Sequence, residues 1–253
     1  MIFEETVKDI TKFFSQFGLL ICHCLGIMKV FILVLRHEKL QGLIDTLHDK
    51  NYQYEPIGDF NPGQRLVEAQ RLSHCFSIFL FCMYTFVGVS AHISSEFIIN
   101  MEVKEKYFQG NVTCYDYMPY YFVIPFTTDT KVQCEYSLIF MDFCLDTYAW
   151  FISCHDGFYA ALLNCLKTQL EILCDAIRTI RPRVVKRLNL PENFQIFHDD
   201  DFPKLEEALY KELTHLFKHL IVLMRVADDI EVIFNMVTLG QTIMSFIIFA
   251  SCM

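Results

Sequence analysis

Cys75-Phe76-Ser77-Ile78-Phe79-Leu80-Phe81-Cys82-Met83-Tyr84-Thr85-Phe86-Val87-Gly88-Val89-Ser90-Ala91-His92-Ile93-Ser94 carries no Lys, Arg, Asp or Glu. About 20 such residues is the length at which an α-helix crosses roughly 30 Å of hydrocarbon. Three further stretches read the same way. Residues 13–35 hold only one formal charge, Lys29, whose apolar stem predicts snorkelling toward the headgroups. Residues 232–253 contain no acid or base. Residues 137–166 are apolar but interrupted by Asp142, Asp146, His155 and Asp156, each costly at the bilayer centre unless it faces protein or water. Asp142 and Asp146 lie four apart and share a helical face, either inside the bundle or, if the span begins near Thr147, at the outer interface. With 53% hydrophobic residues, 15% aromatic residues and a mean hydropathy of +0.31, the expectation is an all-α, polytopic membrane helix bundle forming a single domain over 1–253.

Orientation follows from Lys and Arg between the spans. Segment 36–72 carries Arg36, Lys39, Lys50, Arg65 and Arg71, and 167–225 carries ten, with a cluster at Arg178, Arg181, Arg183, Lys186 and Arg187. The loop 98–136 carries only Lys104, Lys106 and Lys131. Basic loops stay cytoplasmic, so four spans place 36–72 and 167–225 inside, and the outer loop and both ends outside. Asn111-Val112-Thr113 is a glycosylation acceptor in that outer loop, a signal that matters only on the lumenal side. No cleavable leader pattern opens the chain, so the first span is expected to act as its own insertion signal. A net charge of −9 argues against nucleic acid as a partner.

Most of the 11 cysteines fall in or beside apolar spans, where a thiol is a small hydrophobe. Cys114 and Cys134 lie in the outer loop, the oxidising side, and form the candidate disulfide. On the inner side Leu170, Ile172, Leu173, Ile177 and Ile180 recur at helical spacing up to Arg181-Pro182-Arg183. Leu205, Leu209, Leu213, Leu216 and Leu220 form a second stripe, so 167–225 reads as an intracellular helical hairpin whose role is packing. Cys22-His23-Cys24 lacks a second ligand pair, His215 and His219 lack the intervening acid of a zinc helix, and Asp199-Asp200-Asp201 lacks the pattern of a calcium loop. No metal, cofactor or enzyme motif is read from the chain.

The carboxy-terminal run brings a family into view. Leu213-Thr214-His215-Leu216-Phe217-Lys218-His219-Leu220-Ile221, then Ile230-Glu231-Val232-Ile233-Phe234, Gly240-Gln241-Thr242 and Ser245-Phe246-Ile247-Ile248-Phe249-Ala250-Ser251-Cys252, resembles the insect odorant receptors. Tyr148 in an aspartate-bearing span, and Asp156 followed by Leu162-Leu163, support the resemblance. It implies a subunit of an odorant-gated, nonselective cation channel in the plasma membrane, assembled as a tetramer with a shared odorant co-receptor. The spans look like the family's second to fifth of seven, so the chain is expected to be a fragment without the first, sixth and seventh, as from a truncated gene model or transcript.

The resemblance also implies a small volatile ligand in the outer half of the bundle. Carried onto this chain, that half holds Phe13, Phe14 and Phe17, then Tyr84, Phe86 and His92, then Phe143, Tyr148, Trp150 and Phe151. Tyr148 and Trp150 are favoured, since each joins an aromatic face to a hydrogen-bonding tip. Against this stands plain bundle packing or lipid contact for each aromatic. The competing functions are a gustatory receptor, a membrane-embedded lipid-modifying enzyme using His155 and Asp156, and a nonfunctional receptor fragment.

Overall fold

The computed structural model describes residues 10–98, 114, 124–128, 130–191 and 203–251. These form six α-helices: α1 Ile10–Leu35, α2 His37–Leu47, α3 Pro62–Ile98, α4 Lys131–Arg178, α5 Ile180–Arg187 and α6 Pro203–Ser251. A 3-10 turn spans Lys50–Tyr52, and no strand occurs among the described residues beyond an isolated bridge between Ile57 and Phe60. The fold is all-α.

Local chemistry sets the helix ends. Asn61 accepts from the Gln64 N–H just before Pro62, whose missing donor is harmless in a first turn. Thr130 and Gln133 cap α4 reciprocally: the Gln133 N–H donates to Thr130 Oγ1 at 3.3 Å and the Thr130 N–H to Gln133 Oε1 at 3.1 Å. The break expected at Arg181-Pro182-Arg183 falls earlier, at Thr179, because Pro182 fits the first turn of α5. That helix ends on Asn189 at φ 53°, with Leu190 N–H bonded to Val185 O and Asn189 N–H to Lys186 O, so a left-handed residue satisfies the last carbonyls.

The chain packs as two units: Met1–Val34, Ser77–Gly157 and Met236–Met253 form the first, Leu35–Phe76 and Phe158–Asn235 the second. In the first unit the usual distribution of side chains is inverted. Lys29, Ser137, Ser153 and His155 are buried, while Phe79, Phe86, Val87 and Ile93 of α3 are more than half exposed. Water would not tolerate that contiguous apolar face; lipid would. Pro62–Ser94 and Val132–Arg178 are long and apolar enough to cross a membrane, with a third such segment if Leu20–Leu35 and His37–Tyr52 count as one broken span. Together these mark a membrane protein.

In the second unit α6 buries Leu205, Glu212, Leu216, His219, Leu223, Val226, Ile230 and Ile233, alternating steps of three and four after the first turns. The stripe expected from leucines alone is rotated: Leu213 is exposed and Glu212 takes the inward position. On α4 the same happens, with Leu170 and Ile177 exposed while Ile172, Leu173 and Ala176 are buried. Glu212 is tolerated inside because Arg183 binds one of its oxygens and Arg187 the other, the latter at 2.9 Å. Arg183 also donates to Ala176 O at 2.7 Å and lies 5.0 Å from the Tyr54 ring centroid. Arg183 and Arg187, counted in the basic cluster that sets orientation, also hold the buried Glu212.

Candidate functional site

Within the first unit α3 and α4 meet along an antiparallel seam. A Cβ at Gly157 would touch Ser77; Trp150 Nε1 donates to Thr85 Oγ1 at 3.0 Å; a Cβ at Gly88 would overlap the Asp146 carboxylate; His92 Nδ1 pairs with Asp142. Partner numbers rise on one helix as they fall on the other. Glycine at 88 is what lets the Asp146 carboxylate approach α3.

Helix α1 runs parallel to α4. The Tyr148 hydroxyl reaches Cys22 O at 2.7 Å and His23 O at 2.8 Å, its ring stacks on His23 at 4.8 Å, and Gly26 leaves room for the phenol. Further along, Lys29 Nζ donates to both oxygens of Asp156, at 2.6 and 2.9 Å. The snorkelling expected of Lys29 is overturned: its side chain is 5% exposed. An ammonium inside a bundle is stabilised by a carboxylate in the same low-dielectric space, and here the partner comes from the next helix. Tyr84 donates to Asp156 Oδ2 at 3.3 Å and His155 Nδ1 lies 3.1 Å from Oδ1. These four contacts match the roughly four lone-pair sites of a carboxylate. Asp156 is thus a clasp that joins three helices.

Of the residues expected around the ligand, Tyr148, Tyr84 and His92 point at neighbouring helices. Trp150 stacks on Phe81 at 5.6 Å and is 36% exposed. Phe17, Phe86, Phe143 and Phe151 are exposed. The Phe13 and Phe14 side chains and Asn111 lie outside the described residues. Cys114 and Cys134 are joined by a disulfide with Cα atoms 5.7 Å apart, buried with Ile124, Leu138 and Met141.

Sequence reading missed the Lys29–Asp156 and Arg183–Glu212 pairs. The only available signal was a basic residue and an acidic residue, each isolated in an apolar helical pattern.

A family model described as 7tm Odorant receptor matches residues 9–253. The chain belongs to the odorant receptor family. No curated protein matches the sequence. The odorant receptor family is one of membrane receptors rather than enzymes. In this odorant receptor Lys29 and its acidic partner Asp156 hold helices together.

In the second unit, His215 and His219 meet the segment after α2. His219 Nδ1 shares a hydrogen bond with the Tyr54 hydroxyl at 2.8 Å and stacks on Tyr52 at 4.3 Å, while His215 Nε2 lies 2.9 Å from Asn51 O. Burial, then the neighbouring His215, lowers the His219 pKa to about 4 against an opposing pull from Asp49. Burial likewise pushes the Tyr54 phenol well above its ordinary value.

Proposed function

We propose that this odorant receptor binds small volatile ligands from the outer side of its first unit and gates a nonselective cation current in the plasma membrane together with a co-receptor subunit. Family membership over residues 9–253 is the observation that carries this reading. The geometry adds a division of labour. Tyr148 and Tyr84 spend their hydroxyls on α1 carbonyls and on Asp156, so they frame the bundle. Trp150, with Phe143 two turns away on α4, offers aromatic surface that the chain covers only in part. A ligand that stacks on this face better in the open state than in the closed one shifts the channel equilibrium by that difference alone. His92 and Asp142 flank the same seam and supply polarity.

Co-expression with an odorant co-receptor, followed by current recording under a panel of volatile alcohols, esters and ketones, tests the proposal. The expected result is an odorant-evoked current that needs both chains and whose half-maximal concentration rises up to about tenfold in Trp150→Ala, as loss of one aromatic contact of 0.5–1.5 kcal/mol implies. Unchanged surface levels of both chains on co-expression, together with no current to any of the panel, would overturn it.

A further inference from the structure

We propose that the second unit contains a separate small-molecule site for an uncharged amphiphile, in the cavity between α2, α3 and α4. The cavity measures about 370 Å³, within the range of small-ligand pockets. Three helical faces converge on it. Helix α3 contributes Leu66, Ala69, Gln70, Ser73 and His74, spaced to occupy one face. Helix α4 contributes Phe158, Ala161, Leu162 and Cys165, again one face, and the end of α2 closes the third side with Ile44, Leu47 and the following His48. The volume exists because Ala69, Ser73 and Ala161 are small where larger residues would fill it. It is held open by fixed struts: Asn164 donates to Ala69 O at 3.0 Å and Ser73 Oγ at 2.9 Å, and Gln169 donates to Leu47 O at 2.6 Å.

The lining defines the occupant. No Lys, Arg, Asp or Glu faces the cavity among the described residues, so a charged ligand would enter without a counterion. Ile44, Leu47, Leu66, Phe158 and Leu162 form an apolar wall, whereas His48, Gln70 and His74 are exposed and place hydrogen-bonding groups at the rim. An apolar body with one uncharged polar head, such as an alcohol or a monoester of glycerol, matches both halves. The level in the chain agrees. Ser73 and His74 directly precede the charge-free stretch 75–94, and Cys165 is followed by Lys167, so the cavity sits where hydrocarbon gives way to the polar boundary on the side of the basic loops. Such an amphiphile arrives either from water, as a volatile alcohol, or from the bilayer, as a lipid-derived ester.

The whole chain in lipid nanodiscs, labelled with a diazirine-bearing decan-1-ol and mapped by peptide mass spectrometry, tests this. Label is expected on segments 66–74 and 158–165, with at least tenfold less in Ala161→Phe and in Ala69→Leu, two independent ways of filling the volume. Alkylation of Cys165 by N-ethylmaleimide is expected to slow in parallel at saturating decanol. Competition by water-added decan-1-ol but not by monoolein in the disc assigns the aqueous source, and the converse assigns the bilayer. Label spread evenly over the exposed face of α3, including Phe79 and Phe86, and insensitive to both substitutions overturns the site, as does unchanged Cys165 alkylation. No current is read, so failure of the odorant-gating proposal leaves these outcomes distinguishable.

Discussion

Replacing Lys29 by Met preserves length and apolar stem but deletes the ammonium that binds both oxygens of Asp156. The carboxylate, 22% exposed and inside a span, then keeps only Tyr84 and His155. Breaking a buried pair from one side costs about 3–5 kcal/mol, because it leaves an uncompensated charge; insertion scales give about 2.5–3.5 kcal/mol for a lone charge at mid-helix. Both estimates imply roughly two to four powers of ten in the folded-to-unfolded ratio. Asp156→Leu alone should cost a similar amount by stranding Lys29. The double variant Lys29→Met/Asp156→Leu removes both charges and should return to within about 1–2 kcal/mol of the parent, since apolar replacement of a buried pair is often neutral. Reversible unfolding in mixed micelles, run as a double-mutant cycle, measures the coupling. Strictly additive losses would refute the clasp and put Lys29 back at the headgroups.

Three other outcomes follow from the same structure. His219 has its folded pKa depressed to about 4 from 6.5, so between about pH 6.5 and pH 4 the unfolded chain binds a proton that the folded chain refuses; stability is complete above that window and lost as pH falls through it. Thermal melting of the parent at pH 7 and 5 should therefore show an acid loss that His219→Gln reduces, and an equal loss in both would exclude this residue. Gly26→Ala drives a Cβ into the Tyr148 phenol, an overpacking cost of about 1–3 kcal/mol that Tyr148→Ala should partly relieve in the double variant; additivity there would deny the α1–α4 contact. Cys134→Ser opens the link to Cys114 across a separation of 20 residues and should cost about 2–4 kcal/mol, with non-reducing peptide maps of the parent showing the joined pair; a free thiol at Cys114 in oxidised parent protein would contradict it.

The membrane character was legible in the sequence because it depends on amounts: length without charge, and where Lys and Arg accumulate. Residues 75–94 need no partner to be recognised, and α3 duly leaves the apolar side chains Phe79, Phe86, Val87 and Ile93 of that stretch more than half exposed. Membership of the odorant receptors was legible at the carboxy-terminal run, where Phe234, 1% exposed, packs on Tyr159 and Ile230 and Ile233 turn inward beside it. The ligand residues were less legible. An aromatic tip that binds a ligand and one that binds a backbone carbonyl are the same residue in sequence, and Tyr148 proved to be engaged with Cys22 and His23 of α1.

The missed pairs have a common cause. Hydropathy scores a position by its own residue, so a buried charge always counts against burial, whereas its real cost depends on a partner that is distant in sequence: 127 residues separate Lys29 from Asp156 and 29 separate Arg183 from Glu212. The register of a helix face was misread for the same reason. When the inward positions of α6 include Glu212 and His219, a stripe traced only through leucines rotates by about one residue and brings Leu213 inward in their place. In a bundle whose outer surface is apolar, the isolated polar residue is the better guide to the interior, because lipid offers it no hydrogen bond and another helix does. Read that way, the Asp142, Asp146 and Asp156 series on α4 marks the face turned to α3 and α1, and the His92 and Lys29 contacts are where that face is met.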